Sequence, residues 1–189
     1  TLAAASVRGA LPQLHGQRYI VIDVGGGSTE FIVTDGTRIE SAVSVPVGAV
    51  RMTERFLKSD PPTAAQLAAL DEFLAGPLTV LQLPPGLTMV GTAGTATTLA
   101  AVELKLVNYS ADAVTGLTLA PAQLTALCER IALAPVSERK TWPGMVAQRA
   151  DVIAGGTAIL RAAVAAAQAT QFIVCDRGIR WGMATELLA

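Results

Sequence analysis

The stretch IVIDVGGGSTEFIV, residues 20–33, sets two apolar runs around three consecutive glycines, with Asp23 on one side and Glu30 on the other. Residues 19–23 and 30–34 are rich in β-branched and aromatic side chains and read as strands. A tight hairpin needs only about two loop residues, so Gly25-Gly26-Gly27 is more than a turn requires. Glycines let a backbone approach a ligand closely and aim N–H groups at it, a nest suited to phosphate oxygens. Ser28 and Thr29 add hydroxyls. Asp23 ends one strand and Glu30 opens the next, so both could hold a divalent cation or orient a water. Those are the parts of metal-assisted phosphoryl transfer. The plainer alternative is a wide glycine turn with two solvated acids.

Working outward, Asp35-Gly36 is a second turn and residues 38–47 a third strand, which completes an antiparallel meander. The period then becomes helical. Residues 2–9 read as the end of a helix and residues 50–57 as another. Thr63-Ala64-Ala65-Gln66 is a capping box followed by Leu67, Leu70 and Leu74. Residues 87–90 form a short buried strand and residues 96–103 a helix. Pro121 opens a helix marked by Leu124, Leu127, Cys128 and Ile131. Residues 135–140 give one more short helical turn. Residues 148–169 read as a long alanine-rich helix, 172–175 as the last strand and 177–188 as the last helix. The order predicts a single α/β domain over residues 1–189, a mixed five-stranded sheet with helices packed on it.

Three further motifs fall where strands meet helices. VGTAGTATT, residues 90–98, follows a strand and opens a helix. It is either an anion site at a helix N-terminus or a tight turn capped by Thr95 or Thr97. It is no Walker A loop, since no Lys-Ser/Thr follows its glycines. Gln148-Arg149-Ala150-Asp151 reads as a helix N-terminus with a surface ion pair. In Asp176-Arg177-Gly178 the acid is a natural N-cap, and Arg177 could reach a phosphate or pair with an acid. Crevices at the strand ends of α/β sheets are where ligands sit.

The 189 residues carry a net charge of −1, which gives no electrostatic case for nucleic acid. Aromatic residues make up 4%, too few for a surface built on base stacking, so Trp142 and Trp181 read as packing anchors. One histidine, His15, argues against a Ser-His-Asp triad or a histidine-rich metal site. Cys128 and Cys175 match no metal or redox spacing. The most apolar stretch, residues 152–167, holds Arg161 and falls short of the roughly 20 residues of a membrane span. A cytoplasmic protein is expected. The chain opens on Thr1 within a helical pattern, which suggests a piece of a longer protein. Charged residues are only 15%, either because one face is covered in the full assembly or because alanine dilutes the composition.

Taken together, VIDVGGGSTEFIV, VGTAGTATTLAA, RADVIAGGTAIL and CDRGIRWG resemble, in order and spacing, the Ppx/GppA phosphatases, which are exopolyphosphatases and guanosine pentaphosphate phosphohydrolases. The resemblance implies a ribonuclease H-like domain of the actin, Hsp70 and sugar-kinase superfamily, with helices on both faces of the sheet. Carried over by position, Asp23 and Glu30 match the family's catalytic and metal-handling acids, with Mg²⁺ or another divalent cation as cofactor. Gly25, Gly26, Gly27 and Ser28 match its phosphate-binding loop, Thr92, Ala93 and Gly94 its second loop, and Arg177 a further phosphate contact. The implied substrate is inorganic polyphosphate or pppGpp. The resemblance also implies that an N-terminal lobe completes the site, that this chain is the second lobe alone and inactive in isolation, and that the intact protein is a homodimer. Two other readings stay open: an ATP-binding lobe of a kinase or chaperone-like ATPase, and a non-catalytic sensor of phosphorylated ligands.

Overall fold

The computed structural model describes Val7 and residues 10–177. The strands are β1 (Tyr19–Val24), β2 (Thr29–Thr34), β3 (Ile39–Val45), β4 (Thr88–Thr92), β5 (Thr118–Leu119) and β6 (Phe172–Val174). The helices are α1 (Ala49–Phe56), α2 (Ala64–Val80), α3 (Ala93–Glu103), α4 (Ala111–Val114), α5 (Pro121–Leu133), α6 (Val136–Arg139) and α7 (Ile153–Ala166). One sheet runs β3-β2-β1-β4-β6-β5. The β1, β2 and β3 pairings are antiparallel, as the two tight connections demand, while β4 and β6 lie parallel to β1 and β4 respectively through helical crossovers. The sheet has six strands rather than five. The additional β5 is two residues long and pairs antiparallel with β6, too short to leave a period in the sequence.

Alternation along the strands divides the core in two. Ile20, Ile22 and Val24 of β1 join the larger cluster, to which α1, α2, α3, α5 and α7 contribute. Tyr19 and Val21 face the other way, with Ile32, Val90 and Ile173, and are covered by Val7, Leu11 and Leu14. The expected first and last helices fall almost wholly outside the described residues. Each fully buried Leu or Ile contributes about 1.5–3 kcal/mol, so this larger cluster dominates stability. The capping box predicted at α2 forms: Thr63 Oγ1 accepts from Gln66 N, and Gln66 Oε1 accepts from Thr63 N, both at 3.3 Å.

The alanine-rich helix α7 starts at Ile153 and ends at Ala166, shorter than its sequence period suggests. Residues ahead of it form a 3₁₀ turn, Ala147–Arg149, instead. Most of α7 is buried, which fits a central helix that is apolar over most of its surface, with Arg161 at its edge paired to Asp71. Its glycines permit that: a Cβ on Gly155 would lie 2.4 Å from Thr53 Oγ1 and 2.8 Å from the Ala49 carbonyl of α1. The close seat fixes α1 against the domain, and α1 in turn holds the glycine loop.

Candidate active site

Asp23 of β1 pairs with Glu30 of β2, Glu30 with Ser44 of β3, and Asp23 with Thr92 of β4. Four strands therefore carry Ser44, Glu30, Asp23 and Thr92 in one row near the ends of β1 and β4. Partners in register share a face, and Asp23 continues the Tyr19–Val21 side. The two acids thus project from the opposite face to α1.

Their surroundings differ. Asp23 is half-buried and its carboxyl is held above the usual carboxylate range, first by burial, then by the neighbouring charge of Glu30, against a hydrogen bond from Thr92. Thr92 is 1% exposed, and its hydroxyl also donates to Ile22 O at 3.4 Å. Glu30 Oε1 accepts from Ser28 Oγ and Ser44 Oγ, each at 2.7 Å. Ser44 gave no signal in the sequence beyond its place in an exposed edge strand.

The glycine loop is pinned by its carbonyls. Gly25 O accepts from Ala49 N at 2.8 Å, and Gly26 O from Val50 N and Arg51 N at 3.0 and 3.1 Å, all at the N-terminus of α1. Gly27 O accepts from Arg51 Nε at 3.0 Å. A trans peptide sets its N–H opposite its C=O. With three successive carbonyls turned toward α1, the N–H groups of Gly26, Gly27 and Ser28 turn away from it, and among the described residues none has a partner. Gly26 and Gly27 are exposed. A Cβ on Gly27 would meet nothing nearer than Arg51 Nη2 at 3.8 Å, so packing within the chain does not demand glycine there.

The second loop faces the first. Ala93 follows β4 with φ +58°, a left-handed conformation that costs a non-glycine residue about 1–2 kcal/mol. The first turn of α3 has no side-chain cap, which leaves its leading amides available to an anion. Gly25, Gly26, Ala93, Gly94 and Thr95 line a cleft of about 380 Å³ with Gln148, Arg149 and, from α1, Ala49 and Val50; it lies on the α1 side of the glycine loop, and Asp23 and Glu30 are not in its lining. Arg149 Nη1 donates to Gly94 O at 2.9 Å and to Thr98 Oγ1 at 3.0 Å. The pair Gln148 and Arg149 therefore belongs to the cleft and not to a surface ion pair as the sequence suggested. Arg177 is exposed beyond the end of β6 and is not among the cleft-lining residues. Its neighbour Asp176 accepts from the Tyr109 hydroxyl, and burial together with Asp176 pushes that phenol up to about 12.

Asp23 and Glu30 supply hard oxygen donors, and no group of three or more His, Cys, Asp and Glu gathers among the described residues. Two carboxylates suit Mg²⁺, which keeps several waters and shares phosphate oxygens rather than occupying an all-protein cage. The donor set therefore fits a cation held jointly with a phosphorylated ligand.

A mixed sheet with this strand order, and loops gathered at the ends of β1 and β4, defines an α/β domain of the ribonuclease H-like class. The chain belongs to the Ppx/GppA phosphatase family, whose sequence profile matches residues 2–189. It is 35% identical over 164 residues to Exopolyphosphatase 2 of Mycobacterium tuberculosis, covering 84% of this chain and 51% of that protein. It is 27% identical over 176 residues to the guanosine-5'-triphosphate,3'-diphosphate pyrophosphatase of Vibrio vulnificus, covering 91% of this chain and 34% of that one. The crystal structure of the Aquifex aeolicus Ppx/GppA phosphatase superposes with TM-score 0.91 at 32% identity, covering 100% of this chain and 62% of that one. The chain thus spans about half the length, or less, of these curated relatives. No helix among the described residues is long and apolar enough to cross a membrane.

Proposed function

We propose that this domain contributes half of the active site of a cytoplasmic, homodimeric phosphoanhydride hydrolase that releases terminal phosphate from inorganic polyphosphate or pppGpp. The observation that carries the reading is the glycine loop: three carbonyls tied to α1 leave three consecutive amides directed away from it, beside Asp23 and Glu30. Amides alone would cradle phosphate oxygens, and acids alone would repel them. Together they suit a phosphate chain accompanied by a divalent cation. A bound Mg²⁺ would neutralise charge on the phosphates and on the leaving group. The Gly26, Gly27 and Ser28 amides hold phosphate oxygens on the face of the loop turned away from α1, and Arg149 with the first turn of α3 holds further phosphate oxygens at the cleft on the α1 side. Asp23 and Glu30 would hold that cation through their carboxylate oxygens. Arg177, beyond β6, meets a longer phosphate chain outside the cleft. A second lobe closing over the exposed glycines supplies the base that activates the attacking water.

The test is phosphate release by the intact protein from polyphosphate, pppGpp and ATP, with and without chelator. Release from polyphosphate or pppGpp is expected to fall by about 10²-fold or more on chelation and to return with Mg²⁺. Preference for ATP over both substrates, or full activity in chelator, overturns the reading.

Gly94→Ala probes the cleft more finely. The added Cβ would lie 2.3 Å from Arg149 Cζ and 2.4 Å from its Nη2. The far end of an arginine can swing away, and alanine in a helix is favoured over glycine by about 1 kcal/mol. The variant is expected to keep its melting temperature while KM for tripolyphosphate rises about tenfold, the effect of losing one charge-assisted hydrogen bond. An unchanged KM would remove Arg149 from the binding site.

A further inference from the structure

The carboxylate of Glu30 is held unsymmetrically. Its two oxygens offer about four acceptor positions, yet both hydroxyls that reach it choose the same oxygen. Ser28 Oγ, from the loop ahead of β2, and Ser44 Oγ, from β3, each donate to Oε1 at 2.7 Å. Among the described residues Oε2 accepts no hydrogen bond. Ser44 is exposed, and water would serve an exposed carboxylate nearly as well, so its bond adds little to stability. What it supplies is direction.

The donor is itself well placed. Ser44 stands directly opposite Glu30 in the antiparallel register of β2 and β3. Just past it, Val45 is buried, and Thr29 Oγ1 donates to Val47 O at 2.6 Å. This end of the edge strand is therefore pinned to β2, and Ser44 with it. Two fixed donors on Oε1 leave Oε2 as the oxygen that Glu30 can offer. That asymmetry separates cations. Ca²⁺ takes about 6–8 oxygens in a flexible shell and readily uses both oxygens of one carboxylate, whereas Mg²⁺ demands near-ideal octahedral geometry. The narrow bite of a single carboxylate does not span two octahedral positions, so one oxygen suits Mg²⁺ and withholds a ligand from Ca²⁺. We propose that Ser44 is a positioning residue of Glu30 and a determinant of cation specificity: with Ser28 it engages Oε1, leaves Oε2 alone for the cation, and so favours Mg²⁺ over Ca²⁺. The inference rests on the reading of Glu30 as a cation ligand.

Cation affinity of the intact protein tests it, without substrate or turnover. Bound and free Mn²⁺ are distinguished by electron paramagnetic resonance, and Mg²⁺ or Ca²⁺ is titrated in to displace it. Ser44→Ala, on an exposed edge strand, is expected to keep its melting temperature. It should lower Mg²⁺ affinity about tenfold, the usual effect of removing a hydrogen-bond partner of a metal ligand, while Ca²⁺ affinity holds or rises. The preference for Mg²⁺ over Ca²⁺ should therefore fall about tenfold or more. Ser44→Thr keeps the hydroxyl and should restore the wild-type preference. The Mg²⁺ concentration that half-saturates phosphate release from tripolyphosphate should rise in Ser44→Ala by the same factor as the Mg²⁺ dissociation constant. Glu30→Gln is the reference and should weaken binding of both cations. If it does, and Ser44→Ala changes both affinities equally or neither, the specificity role is wrong while Glu30 keeps its place as a ligand. If Ser44→Thr behaves as Ser44→Ala does, the hydroxyl is not the operative group and the assignment is overturned. If Glu30→Gln leaves both affinities unchanged, the cation reading of Glu30 fails and the role of Ser44 fails with it.

Discussion

Replacing Asp23 by Asn is expected to abolish phosphate release and, at the same time, to raise the melting temperature. The first effect follows from the removal of a carboxylate that the proposed mechanism uses to hold the cation, worth roughly 10³-fold or more in turnover. The second follows from the environment of the acid. Burial, and next the charge of Glu30, hold the Asp23 carboxyl above its usual range. An acid whose pKa is higher in the folded state binds its proton more tightly there. Ionising it therefore weakens the fold as pH rises through that raised value, and the effect vanishes where both states are protonated, below about pH 3.9. Asparagine keeps the shape and a partner for Thr92 without the charge. The gap in melting temperature should be widest near pH 7–8 and close on acidification. Mg²⁺ with tripolyphosphate should raise the melting temperature of the wild type and leave that of the variant in place. Near-normal turnover would remove Asp23 from the chemistry, and a lower melting temperature at neutral pH would contradict its strained environment.

The same pair of acids shows what a sequence discloses and what it hides. Asp23 and Glu30 were legible because a short glycine loop between two strands leaves little freedom. The antiparallel register has to bring them opposite each other, as it does. The capping box at Thr63 and the β4-to-α3 junction were legible for the same reason, being local. Arg149 was not. It meets Gly94 across 55 residues of chain, and the alanine-rich pattern around it continues smoothly into α7, with no glycine or proline to mark the break before Ile153. Nor does the sequence show that Thr92 is buried, with its hydroxyl beside Ile22 O and Asp23. Arg51 and Ser44, which brace the loop and Glu30, carry no motif at all, because their roles arise only when α1 and β3 are folded against it.

Gly48 makes the point experimentally. It lies in an unremarkable stretch, VPVGAV, and its backbone is ordinary extended chain with φ −141°. Yet a Cβ there would stand 2.5 Å from the carbonyl carbon and oxygen of Gly26 and 2.5 Å from the amide nitrogen of Gly27. Those are backbone atoms of the phosphate loop itself, which cannot rotate aside as a side chain can. The N-terminus of α1 follows immediately and is bonded to the same carbonyls, so loop and helix have to separate for the methyl to fit. Gly48→Ala is expected to destabilise the domain by about 1–3 kcal/mol, the range for overpacking a close contact. It should also lower kcat/KM by at least 10²-fold, as a displacement of about 1 Å in a positioning group does. Gly76→Ala is the control: it lies on the exposed face of α2, where a Cβ meets nothing within 4 Å, and should stabilise the helix by up to about 1 kcal/mol with activity unchanged. Thermal unfolding and phosphate release measured on both variants separate the outcomes. Were Gly48→Ala as harmless as Gly76→Ala, the glycine loop would not need α1 to hold its carbonyls. The three outward amides would then lose the physical reason for their alignment, and the phosphate cradle would lose its main support.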